Sequence, residues 1–227
     1  MDRTIRVTGR GKIYVKPDLI RLYITLDDTK DSYENALEES TIQFELLKDC
    51  FENIGFLRTD LKTINFSVDT QYENYQDKNK AWKKKLIGYK YIHSMKIEFD
   101  VDNERLGKVL YALSRLSSKP EFRIMYCVKN PEETKNRLLM NAIEDSKEKA
   151  KVLSQAAGVV LGDIVTIDYS WGELEVCSSP IGAGLCRSIS SPVWGIEEEE
   201  FYGGYNIDIE PDDIDVSDTV TVVWKIG

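Results

Sequence analysis

The sequence places two glycines one residue apart in front of a lysine, in the stretch VTGRGKIYVKPD at residues 7–18. Glycine-rich loops that bind phosphate through backbone amides follow a strand and open a helix. A Walker loop would also need glycine at Arg6 and serine or threonine at Ile13. Gly9 and Gly11 instead lie within a continuous apolar and polar alternation. They are predicted to be strand glycines that permit close packing or a bulge.

A single histidine, His93, limits the imidazole chemistry that the chain could perform. A Ser-His-Asp or Cys-His site would have to be built on it, and a site with two or three histidine ligands is excluded. His93 lies between Tyr91 and Met95 on the apolar side of a predicted strand, so we expect a structural histidine. One alternative stays open, in which a pocket around Tyr89, Tyr91 and His93 binds a small ligand or catalyses a reaction.

The acidic stretch DIEPDDIDVSD at residues 208–218 could in principle bind calcium. An EF-hand counted from Asp208 would need glycine at Asp213 and glutamate at Thr219, and the chain has neither. The alternating isoleucines and valine of this stretch instead indicate a strand edge with solvated carboxylates. We therefore expect no catalytic, cofactor-binding or metal-binding residues.

Four cysteines, Cys50, Cys127, Cys177 and Cys186, form no C-x-x-C pair and have no zinc-like spacing. Cys50 and Cys127 fall within helix and strand patterns and are predicted to be core thiols. Cys177 and Cys186 flank a loop and could pair in an oxidising compartment. The first residues lack the apolar core of a signal peptide, which predicts a cytoplasmic protein as given, or an envelope or extracellular one if an export signal was trimmed.

A polar segment between two predicted strands combines lysines with aromatic residues: Tyr72, Tyr75, Lys78, Lys80, Trp82, Lys83, Lys84 and Lys85. Single-strand nucleic-acid binders use this combination, but the net charge of −9 opposes binding to a polyanion. We expect no nucleic-acid partner. Our hypothesis is an oligomer contact in which the lysines meet an acidic loop of another subunit, between Lys83, Lys84 and Lys85 and Glu197, Glu198, Glu199 and Glu200.

Hydrophobic periodicity predicts the strands and helices that position these residues. Strands are predicted over residues 5–15, 20–26, 64–68, 89–101, 122–128, 165–171 and 220–226. Helices are predicted over residues 33–51, 103–116 and 130–157. The first two strands are expected to form an antiparallel hairpin around Pro17 and Asp18, and the next two a larger hairpin.

Cap residues and apolar stripes refine the last two helices. Asn103 is expected to cap the second helix, and Asn130 followed by Pro131 to begin the third. The buried stripe of the third helix is predicted to be Leu139, Ile143, Ser146, Ala150, Leu153 and Ala157.

Together these patterns predict strands in antiparallel hairpins and three main helices, the longest packed on a sheet, and a long irregular excursion occupies residues 178–205. A single domain over residues 1–227 is expected, with candidate subdomains at 1–101 and 102–227. No apolar run is long enough for a transmembrane segment.

Several segments together resemble the SIMPL-domain family: VTGRGKIYVKPD, GFLRTDLKT, Gly88-Tyr89, KEKAKVLSQAAGVVLG and PDDIDVSDTVTVVW. That family includes bacterial envelope proteins linked to oxidative stress, an immunogenic outer-compartment protein of pathogens and a mammalian protein that binds a receptor-associated kinase. The resemblance implies an α+β fold with mixed or antiparallel sheets built from two strand-helix-strand portions. It also implies no cofactor, no established active site, and ring-like or channel-like homo-oligomers in some relatives.

The resemblance and the residue patterns lead to one expected function. We expect a non-enzymatic, self-assembling protein that contributes to stress tolerance through scaffolding or binding, as a homo-oligomer whose other protein partner is unknown. A mass well above 26.0 kDa in solution would favour this function over the ligand-pocket alternative.

Overall fold

A computed structural model of the chain describes residues 3–76, 80–169, 176–178, 181–182 and 209–227. Within these residues the chain forms eight strands and three helices. In chain order they are β1 (Thr4–Val15), β2 (Leu19–Lys30), α1 (Tyr33–Asn53), β3 (Lys62–Gln76), β4 (Trp82–Asp100), α2 (Asn103–Arg115), β5 (Glu121–Cys127), α3 (Pro131–Ala156), β6 (Leu161–Asp168), β7 (Ile181–Gly182) and β8 (Ile214–Ile226).

The strands form two sheets, and the predicted α+β fold is confirmed. One sheet has the order β1-β8-β6 and the other has the order β3-β4-β2-β5-β7. The chain also divides into two compact units, each built from separate segments. The first unit is Met1–Asp18, Tyr126–Ser178 and Pro211–Gly227, and the second is Leu19–Met125 and Ser179–Glu210.

In the first unit, α3 packs on the three-stranded sheet at backbone distance. A Cβ atom at Gly9 would lie 1.9 Å from the Ala142 carbonyl oxygen, and one at Gly11 would lie 2.1 Å from the Leu138 carbonyl oxygen. No side chain fits at either position, because real Cβ atoms do not approach backbone so closely. The prediction of strand glycines that permit close packing is confirmed.

The same close approach decides which face of α3 is buried. The buried residues of α3 are Thr134, Leu138, Ala142, Ser146, Ala150 and Ser154. Small side chains dominate this row because a larger one would hold the helix away from β1. The predicted stripe was therefore partly wrong: Leu139 and Ile143 are only half-buried, and Leu153 is 48% exposed.

The expected hairpin between the first two strands is also wrong. β1 pairs with β8 along its whole length, from Thr4 opposite Lys225 to Val15 opposite Ile214, and β2 pairs with β4. Asp18 does not close a two-stranded turn. Its N–H donates to the Cys127 carbonyl (3.1 Å), and its carboxylate accepts from the Lys129 N–H (2.8 Å). These bonds hold Asp18 beside the end of β5. The chain then continues into β2, which belongs to a different sheet from β1.

In the second unit, α1 packs against β2 and β4. The apolar row of β2 is fully buried, from Ile20 to Leu26, together with Met95 and Ile97 of β4. Ser32 caps α1 by accepting from the Asn35 N–H. The predicted helix and the larger hairpin, β3 with β4, are both confirmed.

The starts of α2 and α3 test the predicted caps. Asp102 caps α2, where the sequence analysis placed Asn103, and its carboxylate accepts from the N–H groups of Glu104 and Arg105. Asn130 caps α3 and Pro131 is its first residue, as predicted. An acidic oxygen is as good a cap as an amide oxygen, so sequence alone does not decide between adjacent Asp and Asn.

The substitution Gly9→Ala is predicted to lower the free energy of unfolding by about 3 kcal/mol or more, because the added methyl group forces β1 and α3 apart. Equilibrium urea unfolding measures this loss. Gly162→Ala is the matched control in an exposed part of β6, where the nearest atoms to an added Cβ, the Cβ and carbonyl oxygen of Lys225, are 3.2 and 3.3 Å away and only a shift of a few tenths of an ångström is needed. Equal stability of the two variants would contradict the close approach.

Candidate functional site

The structure places His93 in a nearly closed apolar site. The side chain is 6% exposed and lies between Phe44 and Phe66, whose ring centroids are 4.5 and 5.1 Å away. Its Nε2 atom lies 2.9 Å from the Thr63 hydroxyl, and its buried Nδ1 atom has no hydrogen-bond partner. Burial lowers the pKa of the His93 imidazole, and the nearby Lys48 ammonium lowers it further. A neutral, structural imidazole results.

The three residues of the alternative pocket do not share one site. Tyr89 packs edge-to-face against Tyr33 at 6.0 Å, whereas Tyr91 is 1% exposed and lines a polar cavity. His93 and Tyr89 are not part of that lining. Glu39 and Gln43 of α1 do line it, and the sequence analysis missed both. Their spacing of one helical turn, on the boundary of the apolar face, was the available signal.

Part of the large hairpin extends beyond the sheet. The pairing of β4 with β2 ends at Tyr89 opposite Lys30, but β3 and β4 stay paired as far as Gln76 opposite Trp82. Residues 72–76 and 82–87 therefore form a two-stranded ribbon, here called the arm. No third strand among the described residues pairs with it.

Backbone crowding at Gly88 marks where the arm begins. A Cβ atom there would lie 2.2 Å from the carbonyl oxygen of Lys30, the last residue of β2. On the opposite strand, the register of β3 shifts between Gln71 and Tyr72. A bulge increases the local twist of a ribbon. The arm therefore changes direction at the point where β2, the neighbour of β4 in the sheet, ends.

Every residue of the arm is exposed, including its large apolar side chains. Cross-strand register places Tyr72, Trp82 and Leu86 on one face, with Trp82 71% exposed. The opposite face carries Tyr75 and Ile87. The arm thus presents apolar surface on both sides.

The lysines of the predicted oligomer contact are distributed over both faces of the arm. Lys83 and Lys85 lie on one face, opposite Tyr75 and Glu73 of β3, and Lys84 lies on the other. Glu197, Glu198, Glu199 and Glu200 lie outside the described residues. The contact between these two groups stays a hypothesis.

The cysteine prediction requires correction. Cys127, expected to be a free core thiol, forms a disulfide with Cys177, and Cys50 is the free thiol among the described cysteines. The short segment 176–178 runs antiparallel to the end of β5 and brings the two sulfur atoms together: the Ser178 N–H donates to the Tyr126 carbonyl at 2.7 Å. Cys186 lies outside the described residues.

The described ranges contain neither a metal-binding cluster nor a membrane-spanning helix. No group of three or more His, Cys, Asp or Glu side chains there could hold a metal ion. No helix in the same ranges combines the length and apolar character needed to cross a bilayer.

Comparison with known proteins gives one family and two relatives. Residues 5–224 match the family described as SIMPL, protein of unknown function (DUF541). The chain is also similar to the 26 kDa periplasmic immunogenic protein of Brucella melitensis biotype 1 and to that of Brucella abortus strain S19. In both cases 25% of 163 residues are identical, which covers 72% of this chain and 65% of the relative. The chain thus spans slightly less than two thirds of these relatives.

Protonation of His93 is predicted to destabilise the fold at mildly acid pH. The lowered pKa means that the folded state binds a proton less readily than the unfolded state. The contribution of His93 is therefore complete above its ordinary value of 6.5 and is lost as pH falls from there through the lowered value. Urea unfolding of wild type should show a decline in stability below pH 6.5, and His93→Phe should show a smaller decline. Identical pH slopes would contradict the neutral, buried imidazole.

Proposed function

Because the chain belongs to the SIMPL family, we propose that it is a non-enzymatic, self-assembling protein whose copies associate through the arm. Its effect, including a contribution to stress tolerance, follows from scaffolding or binding by the assembled form. The observation that carries the proposal is the arm itself, a two-stranded ribbon with exposed apolar side chains on both faces.

An isolated two-stranded hairpin is marginally stable in water, and stability needs a third strand or a packed apolar face. Single exposed hydrophobic residues are ordinary, but several on one face, here Tyr72 opposite Leu86 with Trp82 further along, are typical of an interaction surface. A second copy can supply both a third strand and apolar cover, since no third strand among the described residues pairs with the ribbon and both of its faces carry apolar side chains.

Charge gives the proposed contact its orientation. Lys83, Lys84 and Lys85 surround the apolar side chains, and the acidic run from Glu197 to Glu200 is the complementary charge within the same chain. Peripheral charges of this kind contribute more to specificity and association rate than to affinity. The apolar residues are therefore expected to supply most of the binding free energy.

The non-enzymatic part of the proposal is supported by the environment of His93. The imidazole contacts Phe44, Phe66 and the Thr63 hydroxyl, and among the described residues no carboxylate orients it. Its depressed pKa and near-complete burial suit packing better than proton transfer to a substrate.

An oxidising compartment is the proposed location. The Cys127–Cys177 disulfide would persist in an envelope or extracellular space and would be reduced in a cytoplasm. The two Brucella relatives are periplasmic by name. These observations favour the envelope alternative over the cytoplasmic one.

The apolar contact is tested by the double substitution Tyr72→Ser with Trp82→Ser. Multi-angle light scattering of wild type should give a mass well above 26.0 kDa, and the double variant should shift towards 26.0 kDa. The matched control is Leu57→Ser with Met140→Ser, two exposed apolar residues outside the arm. A wild-type mass of 26.0 kDa at every concentration would refute self-assembly, and an assembled double variant would refute the role of the arm.

The charge contact is tested by reversing Lys83, Lys84 and Lys85 to glutamate. The reversed arm should repel the acidic run. The assembly of the variant should therefore dissociate at a higher protein concentration than the wild-type assembly, most clearly at low salt. Reversal of Lys16, Lys147 and Lys151, three exposed lysines outside the arm, is the control for net charge. An unchanged assembly size at low salt would reject the lysine contact and leave the apolar contact in place.

A further inference from the structure

A polar cavity of about 450 Å³ lies in the second unit, where α1 covers the ends of β2 and β4. Asp28 of β2 stands directly opposite Tyr91 of β4. Glu39 and Gln43 of α1 also line the cavity, as does Ser118, which follows α2. The volume falls in the lower half of the range for small-molecule sites, about 300 to 1,000 Å³.

Two buried polar atoms of this cavity have no hydrogen-bond partner. The Gln43 side chain donates from Nε2 to Glu39 at 2.7 Å, but its buried Oε1 atom accepts from no group, and the buried Ser118 hydroxyl is also unpaired. The Tyr91 side chain, which is 1% exposed, lines the same cavity. Buried unpaired polar atoms are costly and rare in native structures, so two of them in one cavity indicate an occupant.

The charges around the cavity specify the kind of occupant. Asp28 and Glu39 both line it, and Lys30 lies 2.9 Å from Asp28 and 3.6 Å from Glu39. Asp27 is also a lining residue, but its side chain points to the other face of the strand, where Lys90 lies 2.6 Å away. One lysine against the two carboxylates on the cavity side leaves one excess negative charge there. Burial and the charges of Asp28 and Glu39 raise the pKa of Tyr91 to about 12, consistent with a negative potential there.

We propose that this cavity binds a compact organic cation through a primary ammonium group. An ammonium group supplies one positive charge and three hydrogen-bond donors. Its charge balances the excess carboxylate, and its N–H groups reach acceptors of the kind that the cavity leaves unpaired, the Gln43 amide oxygen and the Ser118 hydroxyl. A metal ion fits less well, because the described residues form no metal-binding group here.

This site is independent of the proposed assembly. Its lining residues all belong to the second unit, and none belongs to the arm. Loss of self-assembly in arm variants would therefore leave ammonium binding intact. Failure of ammonium binding would in turn leave the assembly proposal untouched.

The experiment is isothermal titration of wild type with 1,4-diaminobutane dihydrochloride, with 1,4-butanediol as the neutral isostere and potassium chloride at matched ionic strength. The diamine should bind saturably, and the diol and the salt should not. Glu39→Gln removes the charge nearest to Gln43 and should weaken binding about tenfold, and Tyr91→Phe should also weaken it. Glu38→Gln, an exposed neighbour on α1, is the matched control and should bind as wild type does.

Every other outcome overturns the proposal. Absence of saturable diamine binding, equal binding of the diol, or equal weakening by Glu38→Gln and Glu39→Gln would each do so. If the cavity variants do not fold, wild-type nuclear magnetic resonance decides. The side-chain amide signal of Gln43 should shift saturably with the diamine and stay fixed with potassium chloride, and a fixed signal under both conditions rejects the site.

Discussion

Contact between the backbone of α3 and the backbone of β1 is the constraint on which the first unit depends. The carbonyl oxygens of Leu138 and Ala142 occupy the space that side chains at Gly11 and Gly9 would take. A helix held at this distance can place only small residues over the strand, which is why Ser146 and Ala150 are fully buried. Of the larger apolar residues of α3, Leu138 stays in the buried row, whereas Leu139 and Ile143 lie on its flanks. The glycines thus select the packed face of the helix.

A similar steric limit, at Gly88 of the second unit, separates the arm from the sheet. The Lys30 carbonyl oxygen at Gly88 leaves no room for a side chain, and β2 ends there. The hairpin continues as a ribbon whose apolar residues are exposed among the residues that the structure describes. One glycine therefore lies between the buried half of β4, which contains Tyr91 and His93, and the exposed half, which contains Trp82. The proposed ligand site and the proposed assembly surface would thus use different parts of one strand.

Local patterns predicted much of the fold because their causes are local. The helices, the cap at Asn130 and the alternation of β4 depend on residues close in sequence. The partner of β1 could not be predicted, since alternation shows that a strand has a buried face but not which strand lies beside it. Pro17 and Asp18 suggested a turn, and the bonds that redirect Asp18 come from Cys127 and Lys129, far along the chain.

The errors at the candidate sites have the same origin. The disulfide joins residues 50 positions apart, and each cysteine alone looked like a core or loop thiol. The cavity was missed because Glu39 and Gln43 have the character of solvent-facing helix residues. Only the pairing of β2 with β4 brings Asp28 and Tyr91 beneath them. The arm was anticipated as a polar tip, but its exposed apolar faces became evident only when the end of β2 was located.

The pairing of β1 with β8 has a consequence for the order of folding. β1 precedes residues 19–125 in the chain, whereas its neighbour β8 follows them, and the Ile226 N–H donates to the Arg3 carbonyl at 3.0 Å. Residues 19–125 hold most of the second unit and can collapse before β8 is synthesised. The first unit cannot close until β8 is available, and β1 lacks this partner in the meantime. Such non-local closure is slow, so the nascent chain carries an exposed, aggregation-prone strand until then.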